Sequence, residues 1–501
     1  MPLTISTKCP SCGGALDFEE GTNAVHCGFC GSNHVVSGHG RVLSYYVPEK
    51  IPAARAVALA LLKLKEKGVA GWRAREATLF FIPFYHFVGR VLRWEVEKVA
   101  IPGSGGDLER PGIGFGSFTS IKVFGSFGAG GDLSGLLSGG SVGSSTPIYE
   151  QRFELVSGSI DRSLPALGSA LFKVQSLGIR PEVLKLSLFE KKAVLERGRL
   201  APARLAASEV EEQGYAPVFE ENNVARRAFN RMTSLIYFPF WAVEAAGPDG
   251  ESVLAIVDGV GGDVPDTAAP MSLLDELLDK DGHGFEVVGF RPLKCPECAA
   301  DLPVRPRDSV FFCSTCRKAW QISGDGLTET PYSVMPPLKK GPGIPEYFPF
   351  WVVRARMSSG SEVVDNKFGL TRLAPGISMP KEEDKKIPLR FFVPAFGIGN
   401  LKIFSRLASA YTRAQPVWEA QEAPDAQVRG ATITPADALN VAPLITFSLI
   451  PKANKKALSF ALDADVEALG AELVLVPFYQ SRNDYLDGIF GLSVPSAALR
   501  D

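Results

Sequence analysis

Apolar runs that end in proline followed by aromatic residues recur along the chain. Four are strong: Phe80-Phe81-Ile82-Pro83-Phe84-Tyr85, Tyr237-Phe238-Pro239-Phe240-Trp241, Tyr347-Phe348-Pro349-Phe350-Trp351 and Leu475-Val476-Pro477-Phe478-Tyr479. A weaker version is Phe391-Phe392-Val393-Pro394-Ala395-Phe396. Each reads as a strand. Proline removes a ladder donor, so these sites are expected at sheet edges or bulges, with the aromatics filling the core beside the kink. Further strands are expected at 234–245, 251–257, 285–290 and 389–396, and helices at 53–67, 201–213, 272–280, 400–413 and 455–470. The helix at 53–67 has Pro52 at its start and Gly68 as a stop. Strands and helices do not alternate as in a doubly wound sheet, so the fold class is α+β with mostly antiparallel sheets and a few helices.

The order of parts also repeats. A cysteine-rich segment, a Tyr/Pro segment, the Pro83 strand, a long middle and the Pro239 strand are echoed by a second set built on Pro336, Pro349 and Pro477. Cys30 to Pro48 is 18 positions and Cys316 to Pro336 is 20. Two of the strands continue alike, Pro239-Phe-Trp-Ala-Val-Glu-Ala and Pro349-Phe-Trp-Val-Val-Arg-Ala, toward turns at Asp258-Gly259 and Asp365-Asn366. The pattern implies a duplication whose second copy lacks the helix at 53–67. Residues 103–146 are rich in glycine and serine and read as a flexible insertion, although Phe115, Phe118, Phe124 and Phe127 are unusual for a pure linker.

All 8 cysteines fall into four Cys-x-x-Cys pairs. Cys9 and Cys12 precede Cys27 and Cys30, and Cys295 and Cys298 precede Cys313 and Cys316, with 14 residues between the pairs in both cases. Such turns aim two thiolates at one ion, and a short hairpin brings the second pair round to complete a tetrahedron. Two structural zinc ions are expected, in ribbons spanning 1–40 and 291–325. Gly13 and Gly31 follow their pairs, where left-handed backbone turns amides toward sulfur. Ala299 and Arg317 stand there in the second ribbon, so less regular turns are expected. A redox dithiol needs only one pair. Iron uses the same four thiolates and stays open, with zinc preferred because no electron-transfer partner site is visible. His26 and His34 read as bystanders, because four cysteines already close the site.

The chain of 501 residues is 46% hydrophobic and 22% charged, with net charge −2, and is long enough for several domains. A dedicated nucleic-acid binder would carry a basic excess. No run of 18 apolar residues and no secretory signal is visible, which places the expected site of action in the cytoplasm, where thiols stay reduced. Catalytic signatures are missing from the sequence. Gly139-Gly140-Ser141-Val142-Gly143 matches a nucleophile elbow only formally, and Gly112-x-Gly114-x-Gly116 lacks dinucleotide spacing. Of the 5 histidines, His26, His34 and His39 cluster at the first ribbon, His283 sits in a turn-like stretch, and His86 reads as a satisfied core or surface residue. Lys63, Lys65 and Lys67 belong to an exposed helix face. Arg317 and Lys318, with Trp320 nearby, are the best local support for nucleic-acid contact.

The sequence of Cys-Pro-x-Cys, Cys-x-x-Cys, Tyr/Pro segment, helix and Pro-Phe-aromatic strand resembles bacterial proteins with a transcription-factor-IIB-type, rubredoxin-like zinc ribbon and a β-rich region. Some of these carry a primosomal-helicase label, but helicase motifs are missing here. The resemblance implies zinc and an assembly role and supplies no catalytic residues. The expected organisation is ribbon 1–40, a module at 41–290, ribbon 291–325 and a module at 326–501. The expected function is a non-enzymatic zinc-binding scaffold or adaptor whose partners are other proteins, in a larger or membrane-associated complex. Nucleic-acid binding in transcription or replication is the alternative.

Overall fold

The computed structural model describes residues 3–38, 42–66, 71–100, 121–123, 149–175, 185–216, 223–265, 268–279, 286, 288–324, 326–375, 379–419, 425–450 and 454–500. The insertion at 103–146 therefore lies outside the described residues except for the strand Ile121–Val123, as do His39, Lys67 and His283.

The architecture is mixed α+β. An eleven-stranded sheet and a seven-stranded sheet each form around a pair of antiparallel proline-bearing strands. In the first, the Pro83 strand (Arg73–Ala100) pairs with the Pro239 strand (Asn223–Ala246), placing Tyr237 opposite Pro83. In the second, the Pro349 strand (Glu346–Ser359) pairs with the Pro477 strand (Asp465–Ser481), placing Leu475 opposite Pro349. In each case the first proline faces the residue two before the second.

The flanking strands correspond too. Phe84 faces Pro165 of the strand Tyr149–Pro165, and Phe350 faces Pro394 of the strand Arg390–Pro394. A parallel strand, Leu43–Tyr46 or Tyr332–Val334, lies beside each second proline strand. Past the prolines, Phe240 faces Asp258 and Phe478 faces Asp487. Asp258-Gly259 therefore corresponds to Asp487-Gly488. This corrects the expected correspondence with Asp365-Asn366, which follows a strand (Glu362–Val364) on the other proline strand.

Pro83, Pro239, Pro349 and Pro477 lie inside the sheets, in strands paired on both flanks, and no register shift falls at any of them. For these four the expectation of edges or bulges is overturned, whereas Pro394 ends a strand paired only with the Pro349 strand, at a sheet edge as expected. The backbone explains how the four are accommodated. Each proline stands where one flanking strand ends and another begins. Beside the Pro239 strand, Tyr46 pairs with Tyr237 and Asp258 takes over at Phe240. Beside the Pro477 strand, Val334 pairs with Leu475 and Asp487 takes over at Phe478. The N–H and C=O of one strand residue point to the same flank. Each proline carbonyl accepts from the incoming strand: Pro83 from Ala166 (2.9 Å), Pro239 from Gly259 (2.8 Å), Pro349 from Ala395 (2.9 Å) and Pro477 from Gly488 (2.7 Å). The missing N–H thus faces a gap between strands, where no acceptor waits.

The helix Ala53–Glu66 forms as expected and buries Ala56, Ala60 and Leu64 against Val243, Ala245, Ala255 and Val257. The helix expected at 201–213 is confined to Ala207–Gly214. That expected at 455–470 stops at Asp463, because the following residues pair as a strand with Met357 and Ser358. A helix at Pro435–Leu449, absent from the sequence reading, is buried on most of its faces. It ties the halves together: Trp94 Nε1 donates to the Leu444 carbonyl (3.2 Å), and the Asp437 carboxylate accepts from Asn230 N–H (2.9 Å).

Candidate metal centres

All four Cys-x-x-Cys turns share one backbone pattern. The first cysteine N–H donates to the carbonyl five residues on, in Cys9 to Gly14 (2.8 Å), Cys27 to Ser32 (2.9 Å), Cys295 to Ala300 (2.8 Å) and Cys313 to Lys318 (2.9 Å). The N–H four residues on closes back, from Gly13, Gly31, Ala299 and Arg317. These four residues are left-handed, with φ of 74°, 72°, 58° and 60°. The expectation of less regular turns in the second cluster is therefore corrected. Ala299 and Arg317 adopt the backbone that glycine would favour and carry its strain.

The sulfurs converge as the spacing requires. Cys9, Cys12, Cys27 and Cys30 form one group and Cys295, Cys298, Cys313 and Cys316 another, with all ligand atoms within 4.8 Å of one another. Cys9–Cys30 and Cys12–Cys27 are each 3.8 Å apart, and Cys295–Cys316 and Cys298–Cys313 are 3.4 and 3.5 Å apart. A regular tetrahedron with metal–sulfur bonds of ~2.3 Å has edges of about 3.8 Å. The first cluster matches, the second is slightly tighter, and neither approaches the ~2.05 Å of a disulfide. Both donor sets fit a thiophilic metal ion. In each cluster the first cysteine of every pair is buried and the second lies nearer solvent.

Charge explains why a cation belongs there. Burial alone would push the Cys9 thiol up, but the N–H groups of Cys12 and Ser11 and the Ser32 hydroxyl bring it down to about 5. N–H groups of Cys298 and Glu297 likewise overcome burial to hold Cys295 at about 7. The Gly14 N–H favours a Cys12 thiolate, yet the sulfurs of Cys30, Cys27 and Cys9, together with burial, drive it to about 12. Burial and the sulfurs of Cys295 and Cys313 drive Cys316 to about 12. Four thiolates cannot share either cluster without a positive ion between them.

The histidines stay outside the donor sets. His34 Nε2 is 2.8 Å from Ser32 Oγ, which in turn lies 3.0 Å from Cys30 Sγ. His26 Nδ1 is 2.7 Å from Asn33 Oδ1. The two cysteine modules also pack on each other. Ala24 and Val35 share a core with Leu293, Leu302, Phe311, Trp320 and Ile322. The strand Gly289–Pro292 pairs with Asn33–Ser37, and Asn23 N–H donates to the Pro306 carbonyl (2.6 Å).

The basic and aromatic residues of the second module are already engaged. Lys318 pairs with Glu297 (3.2 Å) and Glu329 (3.3 Å), Arg317 pairs with Asp425 (3.1 Å), and Trp320 is only 6% exposed. His86 is satisfied in the core, with Nδ1 3.0 Å from Glu20 Oε2 and Nε2 3.1 Å from Asp161 Oδ1. Burial opposes its charge, but the Glu20 carboxylate and then Asp161 prevail and raise its pKa to about 10. Glu20 and Asp161 lie 66 and 75 positions away, beyond any local signal in the sequence.

No protein-family model, curated protein or solved structure matches this chain. No helix among the described residues is long and apolar enough to cross a membrane.

Proposed function

We propose that the chain is a non-enzymatic scaffold, built by internal duplication and held by two structural zinc ions in ribbon-type modules, that binds other proteins in a reducing compartment such as the cytoplasm. The observation that carries this reading is the closed geometry of the two clusters. Four sulfurs at tetrahedral spacing leave no corner for water or substrate, so the ions would act on folding rather than on chemistry. Correspondence of the two proline-strand pairs, register for register, supports duplication. Nucleic-acid binding through Arg317, Lys318 and Trp320 is the weaker reading, because ion pairs and the core already occupy those side chains.

Elemental analysis of freshly isolated protein should give two zinc ions per chain, and one in a Cys9→Ser/Cys12→Ser or Cys295→Ser/Cys298→Ser variant. Iron with its charge-transfer colour, or no metal at all, would refute the zinc assignment. Proteins crosslinked to the chain in its own cells should be lost with the cysteine variants. Turnover of a small molecule by the purified protein would refute the non-enzymatic part.

A further inference from the structure

The two metal centres share a backbone and differ in one layer of side chains. In both, the N–H that opens the second pair donates to the carbonyl two residues past that pair, at Ser32 and at Lys318 (2.9 Å each). In both, the next strand returns in the same register. His34 lies opposite Val25 and Trp320 opposite Phe311, two residues before Cys27 and Cys313 respectively. Ser11, Ser32 and His34 of the first centre therefore correspond to Glu297, Lys318 and Trp320 of the second.

Around the first centre this layer turns toward sulfur. Ser32 Oγ lies 3.0 Å from Cys30 Sγ and 3.7 Å from Cys9 Sγ. His34 Nε2 lies 2.8 Å from Ser32 Oγ, 3.4 Å from Ser11 Oγ and 3.8 Å from Cys9 Sγ. A metal-bound thiolate can only accept, and a hydroxyl has one hydrogen to give. Ser32 O–H therefore donates to Cys30, and its oxygen accepts from the His34 Nε2–H. That leaves Nδ1 as a bare lone pair, in keeping with its burial without a partner among the described residues. The imidazole is 2% exposed and meets Phe290 edge-on (ring centroids 6.4 Å apart, 78° between planes), so its aim is fixed from across the chain.

Around the second centre the same positions point elsewhere. Glu297 is an acceptor, and it pairs with Lys318 (3.2 Å), which also reaches Glu329 (3.3 Å). Trp320 is 6% exposed, and its Nε1 meets no partner among the described residues. Four thiolates around a divalent ion carry two negative charges in excess. Hydrogen bonds donated to sulfur spread that excess, and partners outside the ligand shell hold the ligands in place.

We infer that Ser32 and His34 are positioning residues that make the first centre the retentive one, and that the second centre gives up its zinc first when the metal becomes scarce. The inference rests on the zinc reading of both clusters. It gives them different tasks, a permanent clasp near the N-terminus and a supply-sensitive one at 295–316.

Titration of the full chain with EDTA, starting from protein shown by elemental analysis to carry two zinc ions, tests this. Zinc should leave in two steps. At the concentration that removes one ion per chain, N-ethylmaleimide should label Cys295, Cys298, Cys313 and Cys316 and spare Cys9, Cys12, Cys27 and Cys30, as read by peptide mass. Ser32→Ala and His34→Leu should each weaken the first site by about tenfold or more, the usual cost of losing an outer-shell partner, with the second site unchanged. The double variant should be no weaker than the worse single, because both residues act through one hydrogen bond to Cys30. His34→Gln offers an amide N–H to the same hydroxyl and should keep most of the affinity, whereas a role in packing alone would make Gln fail like Leu. Simultaneous release of both ions, labelling that starts at the first cluster, or wild-type retention in both Ser32→Ala and His34→Leu would overturn the inference and leave two zinc sites standing. A chain isolated without zinc would instead sink the zinc reading, and this inference with it.

Discussion

Replacing His86 by leucine removes the middle of a buried charge cluster. The His86 and Glu20 side chains are 1% and 0% exposed. At their 3.0 Å separation, two unit charges attract by about 5 kcal/mol at an effective dielectric of ~20. Much of that offsets desolvation, so the net worth of the pair is far smaller. Breaking it is another matter, because Glu20 is left buried and uncompensated, at ~3–5 kcal/mol. His86→Leu and Glu20→Leu should each lower the denaturant midpoint of the metal-loaded protein strongly. The double variant should recover most of the loss, leaving a coupling of up to ~3 kcal/mol in a double-mutant cycle. The pH dependence has a definite sign. The folded-state pKa of His86, about 10, lies above its ordinary 6.5, so its contribution is complete below about 6.5 and is lost as pH rises through about 10. The assay is tryptophan fluorescence against urea at pH 7 to 10, for wild type and the three variants side by side. A His86→Leu protein with the wild-type midpoint and the wild-type slope with pH would refute the reasoning.

Two further outcomes follow from backbone and turn geometry. Ala299→Gly and Arg317→Gly relieve left-handed strain at φ of 58° and 60° and should raise the thermal midpoint, each gaining ~1 kcal/mol, whereas Gly13→Ala at φ 74° should lose a similar amount. Asp487 is 1% exposed and accepts from the N–H groups of Ile489 (3.0 Å) and Phe490 (2.8 Å) and from the Tyr411 hydroxyl (2.6 Å). Asp487→Ala should cost at least ~2 kcal/mol by denaturant titration, and Asp487→Asn less.

The cysteine clusters were legible because their spacing is local: each turn is four residues long, and the hairpin between them is short. Left-handed Ala299 and Arg317 were not, since side-chain identity argued for irregular turns while metal-type geometry dictates the backbone. The proline strands were recognised as strands but assigned to edges. Single-strand reasoning sees a missing donor and cannot see that the neighbouring strand changes at that point. The helix Pro435–Leu449 escaped notice because it is apolar on most faces, with Val441, Ala442, Leu444 and Ile445 buried in succession, so no amphipathic period stands out. The stretch after Asp463 looked helical by residue preference, and pairing with the Pro349 strand overrode it. His86 was expected to be satisfied, but its partners depend on strands far apart in the chain.

The apolar seam between the cysteine modules makes the two halves complementary fragments rather than separable proteins. A polypeptide ending before residue 289 would strip the Asn33–Ser37 strand of its neighbour and uncover Ala24 and Val35. The remainder would bare Phe311 and Leu302. Severed pieces would be sticky alone and would reassemble when mixed.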